Sequence, residues 1–395
     1  MKILLTHRYF APDSSPYGVI LRQIGVELAA HGHEVEVFTT QPAARAPMPS
    51  REDLGGMVIR RIRVLDETSR SPFLRAVNAA IYCVALFFHT LLSRADVVTA
   101  GTFPPVVAAW CASAAARLRG ARFIYHVQDI HPEVSNYSGG RLGRGLPARL
   151  LRALDNQSLR RAEAIVTLSE DMAYTLRARE IGPLPIHVMN NPPLDTDGEP
   201  VPAPEELVKP EGKTRVIFAG NLGRFQNLPL LTEGVAKCFN ANPDLELMFL
   251  GDGMARDDLM ARWGNHPQVR FADFLPFEQA REIIAGADIG LVSLAPNIYR
   301  VAYPSKVATY ADLGLRVLAL VEPESRLARA LERDGTGAVP TAPTAAAIAK
   351  ALDALLTTGA KPYRHPLPTS TPISWPALLD SLTDSDAQGF EPIGG

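Results

Sequence analysis

Cysteine is scarce. Of 395 residues only Cys83, Cys111 and Cys238 carry a thiol, each alone in an apolar or helix-like setting, with no pair at the spacing of a zinc site or a disulfide framework. A reducing compartment follows. Net charge is nearly absent as well: 40 Lys+Arg against 42 Asp+Glu leave a formal -2, which argues against generic nucleic-acid binding. The cancellation hides a division, because residues 1–195 hold 22 basic and 17 acidic side chains and the remainder 18 and 25. The opening MKILLTHRYF has only Ile3, Leu4 and Leu5 before Thr6, far short of the apolar core of a signal peptide, and reads as a strand. A cytoplasmic protein is expected. No strand ends in a D-x-D carboxylate pair, so no metal is expected. The dinucleotide fingerprint is incomplete: Gly251 and Gly253 lack the third glycine, and the first strand is followed only by Gly18, which argues against an NAD site and any resident cofactor.

What is present is alternation. Short apolar runs (KILLT, EVEVFTT, MVIRRIRV, DVVTAG, RFIYHV, AIVTLS, IHVMNN) are separated by amphipathic stretches at Tyr17 to Ala30, Pro72 to Ser93 and Pro104 to Arg119, the pattern of a doubly wound parallel sheet. From Asn190 to Lys213 six prolines and several acids interrupt the period and mark a hinge. The pattern restarts with TRVIFAG, LELMFLG, VRFADF, DIGLVSL and RVLALV. The expected organisation is an α/β chain of two Rossmann-like domains: 1–190, a linker at 191–213, a second domain at 214–360, and a helix and tail at 361–395 that return toward the first domain. SWPALLDSL is the last expected helix, and from about Thr383 the composition is that of a disordered tail.

Tandem open sheets bind ligands beyond the carboxyl ends of their strands and face each other across a cleft. The sharpest such loop is VIFAGNLGRFQNL. There a buried strand runs into Gly220, Asn221 and Gly223 and then a helix near Gln226, so backbone N–H groups suit a phosphate and Arg224 adds a cation. Two equally spaced readings remain at this point, a phosphate cradle and an ordinary tight turn.

The order of FAGNLGR, FLGDGMARDDL, VRFADFLP, ADIGLVSL and YPSKVATYADLGLRVLAL resembles glycosyltransferase family 4, the retaining GT-B nucleotide-sugar transferases, and within it the bacterial enzymes of capsule, O-antigen and exopolysaccharide synthesis. In the first half, YFAPDSSPYGVILRQIGVELAAHGHEVEVFTT, YHVQDIHPE and VTLSEDM are similar to that family's segments. The resemblance spans Met1 to Leu331. It implies a GT-B fold, a nucleotide-sugar donor (UDP-sugar favoured) on the second domain, and an acceptor on the first, either a saccharide or a polyprenyl-diphosphate-linked one. The implied donor residues are Gly18, Gly220, Asn221, Gly223, Gly251, Phe274, Leu275, Ser305, Thr309 and Asp312, with the base held near Phe274 and Leu275. The implied catalytic residues are Asp129, Arg224 and Lys306, the two cations meeting the charge that grows on the leaving phosphate. Ser305 is the expected N-cap of the helix that Lys306 opens. His126, Gln128 and His131 are the expected acceptor-side groups, although a lone histidine beside a strand is more often a satisfied structural residue; Asn191 sits near the expected hinge.

The family's E-x7-E pattern falls on Val301 and Thr309, and this chain keeps neither acid. Asp312, one turn beyond Thr309, is the expected replacement carboxylate for the ribose hydroxyls. Alternatives to an active transferase are a catalytically silent donor-binding or scaffold relative, and a sugar-nucleotide epimerase of the same fold. Finally, eighteen uncharged residues lie between Arg75 and Arg94. They read as a core crossover helix or as a partly exposed face that docks peripherally on the inner face of a membrane with help from Arg60, Arg61, Arg63, Arg70, Arg75 and the arginines from Arg141 to Arg161.

Overall fold

The computed structural model describes residues 1–13, 15–42, 47–65, 71–137, 143–194, 201–223, 226–358 and 374–388. Arg70, Arg141 and Arg224, the stretch 361–373 and the tail beyond 388 lie outside them. The first domain runs β1 (Lys2–Thr6), α1 (Pro16–Ala30), β2 (Glu34–Thr40), β3 (Arg51–Leu54), β4 (Met57–Ile62), α2 (Pro72–Leu92), β5 (Val97–Ala100), α3 (Val107–Arg119), β6 (Arg122–Val127), α4 (Glu133–Tyr137), α5 (Gly145–Arg161), β7 (Ala164–Thr167), α6 (Glu170–Arg177) and β8 (Ile186–Val188). The second runs β9 (Thr214–Ala219), α7 (Leu228–Ala236), β10 (Leu245–Leu250), α8 (Arg256–Trp263), β11 (Val269–Ala272), α9 (Phe277–Ala285), β12 (Ile289–Ser293), α10 (Lys306–Asp312), β13 (Arg316–Leu320), α11 (Arg326–Asp334), β14 (Gly337–Ala338) and α12 (Ala345–Thr358). A last helix, α13 (Trp375–Gln388), follows.

Both sheets are doubly wound, in the orders β3-β4-β2-β1-β5-β6-β7-β8 and β11-β10-β9-β12-β13-β14. Every pairing is parallel except β3 with β4. Their central strands are buried on both faces, which is why they read as unbroken apolar runs. The chain order reverses between β1 and β5 in one sheet and between β9 and β12 in the other, so each sheet has a crevice at its carboxyl edge. Sequence patterning missed β3 and β14: the first is a polar edge strand in a hairpin with β4 and the second only two residues long, so neither carries an apolar period. The three helical stretches of the first domain were expected with starts at Tyr17, Pro72 and Pro104; the third begins later, at Val107.

The cysteines are not all solitary. Cys83 of α2 and Cys111 of α3 are buried and meet thiol to thiol where these helices pack. The tail also differs from its composition, because α13 continues through Thr383 to Gln388. Trp375, Leu378, Leu379 and Leu382 join the core formed by β1, β2 and α1, so the chain's end returns to the first domain. Arg61, expected at the surface, is 4% exposed: its guanidinium pairs with Glu52 at 3.0 Å and donates to the Ala11 carbonyl. Arg60 pairs with Glu36.

Leu378 is wholly buried against the first domain. Leu378→Ala is expected to lower unfolding free energy by about 2–5 kcal/mol through lost burial and the cavity left behind. A urea titration followed by tryptophan fluorescence reads this; a change under about 0.5 kcal/mol would mean that α13 is not part of that core.

Candidate active site

The two domains meet at one seam. Beyond β6 the Ile130 N–H donates to the Val301 carbonyl at 2.8 Å, and Asp129 bridges to Ala302 in antiparallel register. Ile298 and Val301 are buried in the first domain's core cluster, although they belong to the second. Val301 occupies the first acid position of the E-x7-E pattern, and its apolar contact across the seam is a physical reason for the missing glutamate. A second tie is the Arg326 N–H at the start of α11, which donates to Asp171 on α6 at 2.8 Å.

Next to this seam lies a cavity of about 360 Å³. Asp129, His131, Val134 and Ser135 line it from the first domain, and Gln226, Ser293, Tyr303, Pro304, Ser305 and Lys306 are among its walls from the second. Asp129 and Lys306 are thus brought to one space, as expected. Lys306 Nζ stands 3.3 Å from the centre of the Phe218 ring and has no hydrogen-bond partner among the described residues. The ring face partly offsets lost hydration, yet desolvation still lowers the ammonium's pKa to about 7. Burial also pushes the Asp129 carboxyl up to about 6.

What holds Lys306 there is Tyr310, one turn on. Its hydroxyl accepts from the Ala219 N–H at 3.0 Å, immediately before Gly220. Its ring lies over Gly290, where a Cβ would come within 2.3 Å of ring carbon. Helix α10 and the glycine turn are therefore one unit. Tyr310 was not singled out from sequence, although its i+4 spacing from Lys306 was visible. On the other wall, Arg179 clamps the segment after β6, reaching Glu133 at 2.7 Å, Asp155 at 2.5 Å and the His131 carbonyl at 2.7 Å.

The glycine turn is built more tightly than expected. Gly251 sits where a Cβ would be 2.1 Å from the Gly220 carbonyl, and Gly253 where one would be 2.6 Å from that of Leu222, so both serve close backbone packing. The N–H groups of Gly220 and Leu222 donate to Leu250 and Asp252, and that of Gly223 to Gln226 Oε1 at 2.6 Å. Gly223 would have to exchange Gln226 for a phosphate oxygen to bind one. Asn221 is exposed. The helix begins at Leu228 rather than Gln226.

Several expected residues lie elsewhere. Ser305 has helical dihedrals and makes no capping bond, so it lines the cavity without capping α10. Thr309 is buried, whereas Asp312 is exposed and paired with Arg281 at 3.6 Å; a shared helical face does not bring Asp312 to the cavity wall. Gly18 packs on its own loop, where a Cβ would meet the Tyr9 carbonyl at 2.9 Å and Ser15 Oγ at 2.7 Å. Phe274 is exposed, and Leu275 rests against the second domain's core.

His126 is internal. It is 2% exposed, with one ring nitrogen 3.0 Å from the Tyr17 hydroxyl, the other accepting from Gln128 at 2.7 Å, and Trp375 of α13 edge-on to the ring. Gln128 in turn exchanges amide hydrogen bonds with Asn191. Burial lowers His126 to about 3 and His131 to about 4, so both are neutral at pH 7. Of the expected acceptor-side trio only His131 lines the cavity.

If Asp129 works ionised and Lys306 protonated, activity is lost as pH falls through about 6 and as it rises through about 7. A bell-shaped kcat/KM with limbs near those values is the expected profile. The alkaline limb should move upward in kcat, because a bound diphosphate favours the ammonium. Lys306→Arg should remove the alkaline limb. A profile flat from pH 5 to 8 would contradict both assignments.

Residues 17–192 match the sequence model described as a glycosyl transferase 4-like domain, and residues 213–358 match that of glycosyl transferases group 1. A Pseudomonas aeruginosa protein named as glycosyltransferase WbjE is 25% identical over 268 residues, 66% of either chain. An Escherichia coli K12 protein named as the colanic acid biosynthesis glycosyl transferase WcaI is 23% identical over 84% of this chain and 86% of its own. Among solved structures, sucrose-phosphate synthase of Thermosynechococcus elongatus superposes with a TM-score of 0.64 at 14% identity, covering 90% of each chain. Anabaena HepE, solved with UDP and glucose, gives 0.59 at 15% identity over 91% of this chain and 90% of its own. A UDP-N-acetylglucosamine 2-epimerase from Listeria monocytogenes gives 0.60 at 13% identity over 99% and 98%. These structural likenesses are of fold alone. The two sequence models together span most of the chain, on a twin-sheet GT-B frame with a shared cavity at the seam: the protein belongs to the group 1, family 4-like glycosyltransferases.

Proposed function

We propose that this glycosyltransferase moves a sugar from a UDP-sugar, with retention of configuration and without a metal ion, onto a lipid-linked saccharide acceptor. The observation that carries the donor half is Lys306: an ammonium whose Nζ is buried and has no hydrogen-bond partner among the described residues, lining the interdomain cavity, is what a leaving diphosphate requires. In a retaining transfer of this type the donor phosphate itself accepts the acceptor's proton, so the missing glutamates weaken ribose binding more than bond-making. Asp129 would orient the acceptor hydroxyl. UDP is favoured because HepE was solved with UDP and glucose. The lost acids at Val301 and Thr309 favour a second reading, a relative that binds donor without turnover.

The acceptor half is supported by the outer face of the first domain. Helix α2 is long and apolar enough to cross a membrane, but it buries Asn78, Tyr82, Cys83, Leu86 and Thr90 on the sheet side. It turns Phe73, Val84, Phe88 and Leu92 outward, the first and last 77% and 80% exposed. Packed beside it, α3 exposes Leu118, and α5, on the far side of α3, exposes Leu146 and Leu150. The three helices carry seven arginines (Arg75, Arg117, Arg119, Arg149, Arg152, Arg160, Arg161), and their single acid, Asp155, is buried against Arg179. An apolar face rimmed by arginine suits an anionic bilayer, where a polyprenyl-diphosphate acceptor resides.

A nucleotide panel read by thermal shift is expected to show UDP raising Tm above GDP and ADP, with stabilisation of about 2.7 kcal/mol at a hundred times Kd. Transfer from UDP-sugar should survive EDTA; donor binding with no transfer to any lipid-diphosphate acceptor would support the silent reading instead. In flotation, the protein should rise with phosphatidylglycerol vesicles, release in high salt, and lose binding in Phe73→Glu/Leu92→Glu. Failure to float at low salt would remove the docking proposal.

A further inference from the structure

The crevice of the first sheet, between β1 and β5, holds none of the acceptor-side residues named so far. The loops leaving those neighbouring strands, residues 7–13 and 101–106, bring two aromatic rings together. Tyr9 and Phe103 have centroids 5.4 Å apart at an interplanar angle of 32°. Phe103 is 40% exposed and Tyr9 half-buried. Arg8 places its guanidinium carbon 5.3 Å from the Tyr9 ring centre. The Arg8 carbonyl is pinned by the hydroxyls of Thr39 and Thr40 at 2.9 and 2.7 Å, and His7 Nδ1 is 2.7 Å from the Tyr9 carbonyl.

The second loop is held by strain. Val106 has φ 65° and ψ -53°, and the Val107 N–H donates to the Pro105 carbonyl at 2.6 Å. This is a three-residue γ-turn in its rare positive-φ form, here centred on a fully buried β-branched side chain. Such a conformation persists only where surrounding packing over-determines it, and the consequence here is a fixed position for Phe103. Gly101, at the base of the loop, leaves room for the Tyr17 ring, which a Cβ would approach to 2.8 Å.

We propose that Tyr9 and Phe103 form an acceptor subsite that stacks on the C–H face of a pyranose ring, a proposal that rests on the acceptor reading above. Ring faces are electron-rich and meet the weakly positive C–H groups of a sugar, while His7, Arg8 and Thr102 are buried beneath the pair and hold its loops in place. Position agrees: Thr6, Ala100 and Tyr125 lie in register on three adjacent strands, so Phe103 stands one strand spacing and Tyr9 two, about 5 and about 10 Å, from the β6 end that carries Asp129. A saccharide lying there would direct its next unit toward the cavity.

The test uses the full chain and a panel of methyl pyranosides (glucoside, galactoside, mannoside, N-acetylglucosaminide) in saturation-transfer NMR, with UDP thermal shift as the control. At least one pyranoside is expected to show transfer to its ring protons, reduced fivefold or more in Phe103→Ala and Tyr9→Ala, and regained in Phe103→Trp, with the UDP shift unchanged throughout. Phe103→Leu keeps apolar bulk without a ring and should behave as Phe103→Ala, which guards against a variant that merely folds poorly. The subsite is overturned if no pyranoside shows ring-proton transfer, if transfer is confined to the methyl aglycone, or if Phe103→Leu retains it. Absence of a UDP shift in the native chain would strike the donor reading alone, leaving the pyranosides to decide the platform.

Discussion

The seam at Ile130 and Val301 is the constraint from which the site's chemistry follows. One backbone hydrogen bond, one bridge at Asp129 and the apolar insertion of Ile298 and Val301 close the two sheets on each other. Asp129 and Lys306 are half-buried on the walls of this cavity, and the partial loss of water moves the carboxyl upward to about 6 and the ammonium downward to about 7. In a space of low effective dielectric the same cation acts far more strongly on a phosphate than it would on the surface. Packing across the seam thus sets electrostatics within it.

Rigidity is supplied from behind. Tyr310 ties α10 to the strand that ends at Gly220, and Arg179 ties the Asp129–Glu133 segment to α5. Buried arginine forks of this kind are expensive to desolvate, and their use here fixes the placement of a loop rather than adding net stability. The amide network of His126, Gln128 and Asn191, capped by Trp375, does the same at the hinge. Residues that look catalytic by type are, at these positions, satisfied supports for their neighbours.

Much of the frame was legible. Apolar runs such as Lys2–Thr6 and Leu245–Leu250 appear as strands because sheets buried on both faces demand unbroken hydrophobicity. The edge pair β3 and the two-residue β14 left no period to read. Within the site, Asp129 and Lys306 were anticipated from their place after strands and at a helix start. Ser305 as a cap, Asp312 as a carboxylate for the ribose, and His126 and Gln128 as acceptor contacts were not upheld as such. Capping depends on dihedrals, and contact depends on which partner stands opposite; neither is encoded in spacing along one helix or strand.

Local chemistry and alternation were sufficient to determine two largely parallel sheets and a family whose motifs follow one another in fixed order. Only tertiary structure decided which side chains share a space. It brought Val301 to the partner domain, turned the apolar stripe of α2 outward beside two arginine-bearing helices, and set Tyr9 beside Phe103 from loops more than ninety residues apart. The reason is physical: period and propensity act over a few residues, whereas proximity between strands distant in sequence is settled by the order in which a sheet assembles.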